Sequence, residues 1–176
     1  MFRIGGDPVA AGLVTRLNQP GGNVTGTTTL GVELGPKRLQ MLREMLPARA
    51  TVALFSNPRN ANAAAEAREI QAAANVLDIR LLVLNATSPS ELDVVFERIA
   101  QQDIGGVLNA ADPFIISQSD RIVALAERRT SPGIYSVRQF LEAGGLMFYG
   151  TDPFEMWHVV GTYVGRFLIS HRDGPP

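Results

Sequence analysis

The chain has 176 residues, and its 16 basic and 17 acidic side chains nearly balance, so its net charge gives no support to a nucleic-acid or anionic-membrane partner. The absence of cysteine excludes disulfides and thiol chemistry, and two histidines, His158 and His171, are too few for a histidine-rich metal site. The length suits one well-buried domain with some residues to spare, and no uncharged run is long enough to cross a bilayer. The opening residues do not have the pattern of a signal peptide.

The N-terminal stretch predicts a strand end, a helix and an extended connector. Residues 2–6 have the pattern of the end of a strand. Asp7 can cap a helix whose first position is a proline, so we expect a helix that runs through Leu17. In residues 21–30, glycine and β-branched side chains alternate without a helical period, which favours an extended connector over a core strand.

From Pro36 onwards, helices and strands alternate regularly. A helix that ends at Pro47 leads to an apolar run with almost no polar alternation, as in a parallel strand that is buried on both faces. Four more strand-like runs follow, each with a short polar loop and an amphipathic helix behind it. This alternation predicts an α/β fold with a doubly wound parallel five-stranded sheet. The predicted strands cover residues 51–55, 79–86, 105–111, 132–137 and 146–150.

Several loops carry helix-capping residues in phase with this pattern. Ser88 can cap a helix that has proline in its first position, and Glu91 lies three residues after the cap, which makes a capping box. Asp112 and Asp152 each precede a proline in the same way, and both are predicted helix caps. Gly144 is suited to a left-handed turn after a short helix.

In an open parallel sheet, ligands bind beyond the carboxyl ends of the strands. The hydroxyls, amides, phenols and single carboxylate found there can orient a small polar or aromatic ligand. We expect no cofactor, because no phosphate-binding loop follows any strand, and no metal, because the chain has only two histidines. No His, Lys or Cys stands at these ends, so no base–nucleophile pair can be assembled, and we expect a binding protein that is not an enzyme. The candidate ligand-binding residues are Ser56, Asn57, Asp112, Tyr135, Ser136 and Tyr149, with Thr28 added from the connector.

Some of these residues have a purely structural explanation as well. Asp112 is evenly balanced between capping a helix and pairing with a ligand, because it follows a strand near the predicted centre of the sheet. Tyr135 and Tyr149 can equally be aromatics at the edge of the core. Trp157 and His158 lie in an apolar helix, where packing is the stronger expectation.

A response-regulator receiver domain would also have five βα units with an aspartate, here Asp112, after the third strand. That class needs acidic residues after the first strand and a lysine after the fifth. Residues 56–57 and 150–151 occupy those places without either type, and the only lysine is Lys37, far upstream. The receiver interpretation is therefore excluded.

Six segments, taken in order, resemble the family of ABC-transporter substrate-binding proteins related to tryptophan- and tyrosine-uptake components. The resemblance implies a type I periplasmic-binding fold, in which two α/β lobes joined by crossovers hold the ligand in the cleft between them. The segments are GDPVAAGLVTRLNQPGGNVTG within residues 5–26, LGPKRLQMLREMLP at 34–47, NP at 57–58, ADPF at 111–114, IYSVRQFLEAGGLMFYG at 134–150 and VGTYVGRFL at 160–168.

The resemblance implies that residues 1–30 are a remnant of a first lobe with its crossover hinge, and that residues 31–176 are the second, ligand-binding lobe. Family members have a full first lobe and a signal sequence before the matching region, and they continue past its end. We therefore expect a chain truncated at both ends, whether by a shortened gene, a misassigned start codon or isolation of one domain. The missing first lobe would be a partner in binding.

By the same resemblance, the chain is the substrate-binding component of an ABC-type uptake transporter. It would bind a small organic solute, with an amino acid as one candidate, and deliver it to ABC permease subunits in the periplasmic or extracytoplasmic space. The alternative is a cytoplasmic ligand-sensing domain of a regulator that uses the same lobe. A small α/β hydrolase or transferase is a third possibility, but it lacks a visible base at any strand end.

Overall fold

The structure, a computed structural model, describes residues 2–29, 31–151 and 153–170. Its contacts divide the chain into one unit of Gly31–Gly150 and a second unit that combines the residues before 31 with those after 150. In chain order the elements are β1 (Phe2–Ile4), β2 (Gly26–Thr28), α1 (Leu34–Arg43), β3 (Thr51–Ser56), α2 (Ala63–Val76), β4 (Arg80–Asn85), α3 (Pro89–Ala100), β5 (Gly106–Asn109), α4 (Pro113–Ser117), α5 (Ser119–Arg128), β6 (Gly133–Tyr135), α6 (Gln139–Glu142), β7 (Met147–Phe148) and α7 (Pro153–Ser170).

The larger unit is built on a five-stranded sheet in the order β4-β3-β5-β6-β7. Every neighbouring pair is parallel, which confirms the predicted doubly wound α/β fold and its five strands. The first strand of the unit, β3, lies between β4 and β5. All five strands end at the same edge of the sheet, so the loops that follow them form one polar rim, called here the carboxyl edge.

Alternation along β3 explains why helices cover both faces of this sheet. Ala53 and Phe55 pack in one hydrophobic cluster with side chains of α3 and α5. Val52 and Leu54 point the other way, into a second cluster with side chains of α1 and α2. All four side chains are fully buried. The unbroken apolar run predicted a strand buried on both faces, and the structure confirms it.

Three of the predicted helix caps are present in the described residues. Ser88 Oγ accepts a hydrogen bond from the Glu91 backbone N–H at 3.2 Å, while the Glu91 carboxylate accepts from the N–H of Thr87 at 2.8 Å. The Glu91 carboxylate therefore bonds to the residue before the N-cap, whereas in a standard capping box it would bond to the N–H of the N-cap residue itself. Asp112 caps α4, and Gly144 adopts the left-handed conformation with φ of +97°. The predicted cap at Asp152 lies outside the described residues.

The N-terminal residues form a short parallel pair of strands, β1 and β2, outside the five-stranded sheet. The helix predicted from Asp7 to Leu17 is wrong, because the structure has only turns there. Asp7 does start a helical turn, with its Oδ1 accepting from the Val9 N–H at 2.8 Å. Gly12 then takes a φ of +70°, which ends the helix after a single turn. Residues 26–28 are extended, as predicted, and their role as a hinge stays a prediction.

The last helix, α7, groups by its contacts with the N-terminal residues, whereas the sequence placed it in the second lobe. Trp157 and His158, for which packing was the stronger expectation, are both exposed. Met156 and Val160, one helical turn apart, are partly buried. Trp157 and His158 lie on a different side of α7. Within the described residues, no helix is both long and apolar enough to cross a membrane.

Thr130 carries backbone strain that a substitution can relieve. It follows α5 with a φ of +53°, and the N–H of Ser131 bonds to the Ala126 carbonyl at 3.0 Å, as in a helix end that normally uses glycine. A β-branched residue is a genuine outlier in this conformation. We expect Thr130→Gly to raise the free energy of unfolding by about 0.5–1 kcal/mol, since left-handed strain exceeds the entropy cost of glycine. Urea denaturation measures it, and Thr130→Ala, which keeps the strained Cβ, is the control. A gain that is equal for glycine and alanine would contradict the explanation.

Candidate functional site

Six of the seven predicted site residues lie in the larger unit, on strand ends at the carboxyl edge or in the loops that follow them. The seventh, Thr28, belongs to the smaller unit, where its hydroxyl donates a hydrogen bond to the Gly6 carbonyl at 2.7 Å. The backbone positions of the six predicted residues of the larger unit therefore all lie at the carboxyl edge. The side chains of these residues differ in how far they are exposed.

Asp112 is the centre of a side-chain cluster at this edge. Its Oδ1 accepts from the Ile115 N–H at 2.9 Å, and its Oδ2 accepts from the Asn60 amide at 2.9 Å and the Asn57 amide at 3.2 Å. The Asp112 residue is only 3% exposed. The predicted cap is present, and Asp112 and Asn57 are in contact as their strand positions indicated. Because the carboxylate already has three partners, direct pairing with a ligand stays a prediction.

Ser136 is held by a buried amide that the sequence did not single out. The Asn109 side chain donates to Ser136 Oγ at 2.8 Å and accepts from the Ser136 backbone N–H at 2.9 Å. Asn109 is fully buried, and Ser56 and Ser136 are almost fully buried. Asn109 is the last residue of β5, so a polar side chain at the end of a buried strand was the available signal. This pairing fixes the ends of β5 and β6 together.

Tyr135 does not reach the carboxyl edge with its side chain. Its ring stacks on Phe140 at a centroid distance of 4.5 Å, and its hydroxyl contacts Gly133 at the start of the same strand. Burial raises the pKa of the Tyr135 phenol to about 12, and the charge of Glu127 adds to the rise. The side chain thus packs in the core, the structural explanation that its sequence position also allowed.

Tyr149 is the accessible aromatic of the set. Its residue is 37% exposed, while its backbone is fixed by an N–H bond to the Tyr135 carbonyl at 2.9 Å. Asn57 is half-buried, and its Oδ1 accepts from the Arg59 N–H at 3.0 Å. An exposed phenol and a partly exposed amide on rigid strand ends can bind a small ligand through stacking and hydrogen bonds.

A buried ion pair lies behind this edge, and sequence reasoning missed it. Arg38 Nη2 donates to Glu66 Oε1 at 3.0 Å, and the two side chains are 1% and 3% exposed. Glu66 also accepts from the Ala111 N–H at 3.1 Å, and Arg38 donates to the Tyr149 carbonyl at 3.3 Å. Burial raises the pKa of Glu66 to about 7, against the opposing effect of the Arg38 charge. Burial lowers the pKa of Arg38 from its ordinary value.

The ion pair had a signal in the sequence. Arg38 lies on the stripe of α1 that also carries Leu39 and Leu42, and Glu66 lies on the stripe of α2 that carries Ile70. A charged residue on an apolar stripe must find a partner inside the protein. The two helices follow each other along the chain, so opposite charges on their buried stripes predict a pair.

The arrangement offers hydrogen-bond donors and acceptors around the Asp112 carboxylate. In the part of the chain that the structure describes, no cluster of three or more His, Asp or Glu side chains could hold a metal ion. The groups that bond to the Asp112 carboxylate are two side-chain amides and one backbone N–H, and the Glu66 carboxyl bonds to the neighbouring Ala111 N–H. Such amide and N–H groups can orient a ligand.

Comparisons with known proteins agree with a binding role. The chain matches the family model described as ABC transporter substrate binding protein over residues 1–172. Among curated proteins, it is similar to a tyrosine-binding protein of Clostridioides difficile, with 24% identity over 169 residues that cover 96% of this chain and 47% of the relative.

Two solved structures show the same fold. A conserved domain protein of Vibrio cholerae matches with a TM-score of 0.77 and 24% identity, over 92% of this chain and 54% of that one. An ABC domain of Streptococcus pneumoniae in complex with L-Trp matches with a TM-score of 0.68 and 20% identity, over 96% of this chain and 56% of that one. The chain thus spans about half the length of the relatives it matches.

Proposed function

Because the chain belongs to the family of ABC transporter substrate-binding proteins, we propose that it forms a ligand-holding lobe of a solute receptor for an uptake transporter. The observation that carries the proposal is the carboxyl edge of the five-stranded sheet, where polar groups gather on rigid strand ends. This is the place where open parallel sheets bind ligands.

We propose an amino acid with an aromatic side chain as the ligand. The names of two similar proteins support this class, since one is a tyrosine-binding protein and the other was solved with L-Trp. The exposed ring of Tyr149 suits stacking against an aromatic side chain, and the Asn57 amide suits a polar backbone group of the ligand. Asp112 would act by holding Asn57 and Asn60 in place, with direct pairing to an ammonium group as a further role.

We also propose where the whole protein works and with what. It would act outside the cytoplasmic membrane, close a cleft on the ligand with a first lobe, and deliver the solute to permease subunits. Genes for a permease and an ATPase beside this gene would support transport. A gene fusion to a DNA-binding regulator would instead support the ligand-sensing alternative.

The enclosure of the ligand gives the first binding prediction. Small-molecule sites bury most of the ligand surface, and one lobe covers only one side of it. We expect this chain to bind L-tyrosine and L-tryptophan at least about tenfold more weakly than a two-lobed form of the protein does, a difference of 1.4 kcal/mol. Titration calorimetry of both proteins against an amino-acid panel measures this. Equal affinities would contradict enclosure by two lobes, and no binding by the two-lobed form would contradict the amino-acid proposal.

A further inference from the structure

The buried pair of Arg38 and Glu66 connects parts of the larger unit that have no direct contact through the sheet ladder. Arg38 reaches the Tyr149 carbonyl, directly after β7, and Glu66 reaches the Ala111 N–H, in the loop after β5. Strands β5 and β7 are not neighbours, because β6 lies between them. The pair therefore ties two separate loops of the carboxyl edge to the helices α1 and α2 on one face of the sheet.

The close approach of the two helices supports this arrangement. A side chain at Gly35 would lie 2.8 Å from the Ile70 side chain, so the contact between α1 and α2 leaves no room for even a methyl group. Arg38 lies about one turn after Gly35, and Glu66 lies about one turn before Ile70. The glycine thus brings the helices near enough for the guanidinium and the carboxylate to meet.

Stability alone does not account for such a pair. A buried ion pair often contributes less to stability than apolar residues of the same volume, because desolvation offsets the attraction between the charges. In this pair the cost of desolvation is higher still, because the buried Nε of Arg38 has no hydrogen-bond partner in the described chain. What the pair provides, and an apolar contact would not, is directional bonds to two backbone groups of the carboxyl edge.

We propose that Arg38 and Glu66 are positioning residues that set the loops after β5 and β7 in the geometry that ligand binding needs. Ala111 is the neighbour of Asp112, which in turn holds the amides of Asn57 and Asn60. Tyr149 carries the exposed ring of the same edge. The pair itself is buried and does not touch the ligand. The inference rests on the proposed function only for its ligand-binding readout.

The test replaces the pair by apolar residues, Arg38→Met with Glu66→Leu. Its matched control is the exposed pair of Arg49 and Asp78, whose side chains are 85% and 74% exposed and which lie before β3 and β4, at the opposite edge of the sheet. The control variant is Arg49→Gln with Asp78→Asn. If the variant with the apolar pair does not fold, the single variants Arg38→Lys and Glu66→Gln are tested instead, because each keeps one partner of the network.

The first readout needs no ligand. Hydrogen exchange of the Ile115 and Tyr149 amides, followed by NMR, reports on the two loops, and neither amide bonds to the pair itself. We expect exchange at both amides to be at least about tenfold faster in the apolar variant, with the β3 amides as protected as before. The control pair should leave all of them unchanged. Unchanged exchange at Ile115 and Tyr149 would overturn the proposal.

The second readout is affinity for L-tyrosine and L-tryptophan, measured with a two-lobed form of the protein. We expect the apolar variant to bind at least about tenfold more weakly, with the control variant unaffected. Faster exchange with unchanged affinity would overturn the link between the pair and the site. If the unaltered protein binds neither amino acid, the proposed ligand class is wrong, and the exchange result alone decides whether the pair positions the loops.

Discussion

Glu66→Leu is expected to lower the free energy of unfolding by about 3–5 kcal/mol at pH 6, because it leaves a buried guanidinium without the carboxyl group that accepts its hydrogen bond. Arginine cannot escape this cost by losing its proton. Arg38→Met is expected to cost less, about 1–3 kcal/mol, because the carboxyl group that remains can take up a proton. Burial already raises the pKa of Glu66 to about 7, so protonation near neutral pH is easy. The two halves of one ion pair should therefore differ in their effect.

The pH dependence separates this explanation from a simple loss of packing. In the unaltered protein the pKa of Glu66 is raised from 4.5 to about 7, so its favourable contribution is complete below pH 4.5 and is lost as the pH rises to about 7. Removing Arg38 raises that pKa further. The additional loss caused by Arg38→Met should therefore be constant below about pH 7 and grow above it.

Urea denaturation of both single variants and of the double variant, between pH 5 and 9, measures these quantities. The double variant Arg38→Met with Glu66→Leu should lose less stability than Glu66→Leu alone, because it leaves no buried charge. The exposed pair of Arg49 and Asp78 gives the reference for an ion pair that contributes little. Equal costs for the two single variants at pH 6 would contradict the asymmetry.

Most of the fold could be predicted because its signals are local. The apolar run of β3 has no polar alternation, and only a strand covered on both faces can bury it. Ser88 and Asp112 each precede a proline, and each caps the helix that follows. The strand order also matched the common doubly wound arrangement, with the third strand of the unit beside the first.

The parts that failed depend on geometry that local sequence does not carry. Asp7 begins a helical turn, but the left-handed conformation of Gly12 ends it, and glycine alone does not announce which conformation it will take. Tyr135 sits at a strand end, yet its side chain folds back along the strand to stack on Phe140. Strand position places a Cα atom, while packing decides where a long side chain points.

The ion pair of Arg38 and Glu66 shows the opposite case, in which the signal was present but needed two elements to be considered together. Each charge lies on an apolar helical stripe, and neither stripe alone says where the partner is. Contact between α1 and α2 brings the two together. The site residues at the carboxyl edge are likewise predictable as a set, whereas their exposure required the structure.

Asp112→Ala is expected to lower the free energy of unfolding by about 2–4 kcal/mol, because one carboxylate serves three donors. The helix cap to the Ile115 N–H contributes about 0.5–2 kcal/mol, and each hydrogen bond to a charged acceptor about 1.5–3 kcal/mol when it is buried. Asn57 and Asn60 are half-buried, so water replaces part of what their amides lose. The total therefore falls below the sum of the separate contributions.

Asp112→Asn is not a silent change of charge in this structure. Asparagine can still cap α4 with its oxygen, but its NH2 group would then face the side-chain amides of Asn57 and Asn60, which are donors themselves. We expect a loss of about 1–3 kcal/mol, since a buried donor is left without an acceptor. Asn60→Ala is the matched control, because it removes one donor from the same carboxylate and leaves the charge intact.

Affinity then tells whether Asp112 pairs with the ligand as well as with its own chain. Binding of L-tyrosine and L-tryptophan to a two-lobed form of the protein is compared for Asp112→Asn and Asn60→Ala by calorimetry, with urea denaturation run alongside. If the carboxylate pairs with the ammonium group, Asp112→Asn should weaken binding at least about tenfold more than Asn60→Ala does, equivalent to 1.4 kcal/mol. Equal affinities in the two variants would leave Asp112 as the cap and the anchor of two amides, with the ammonium group bound by other residues of the carboxyl edge.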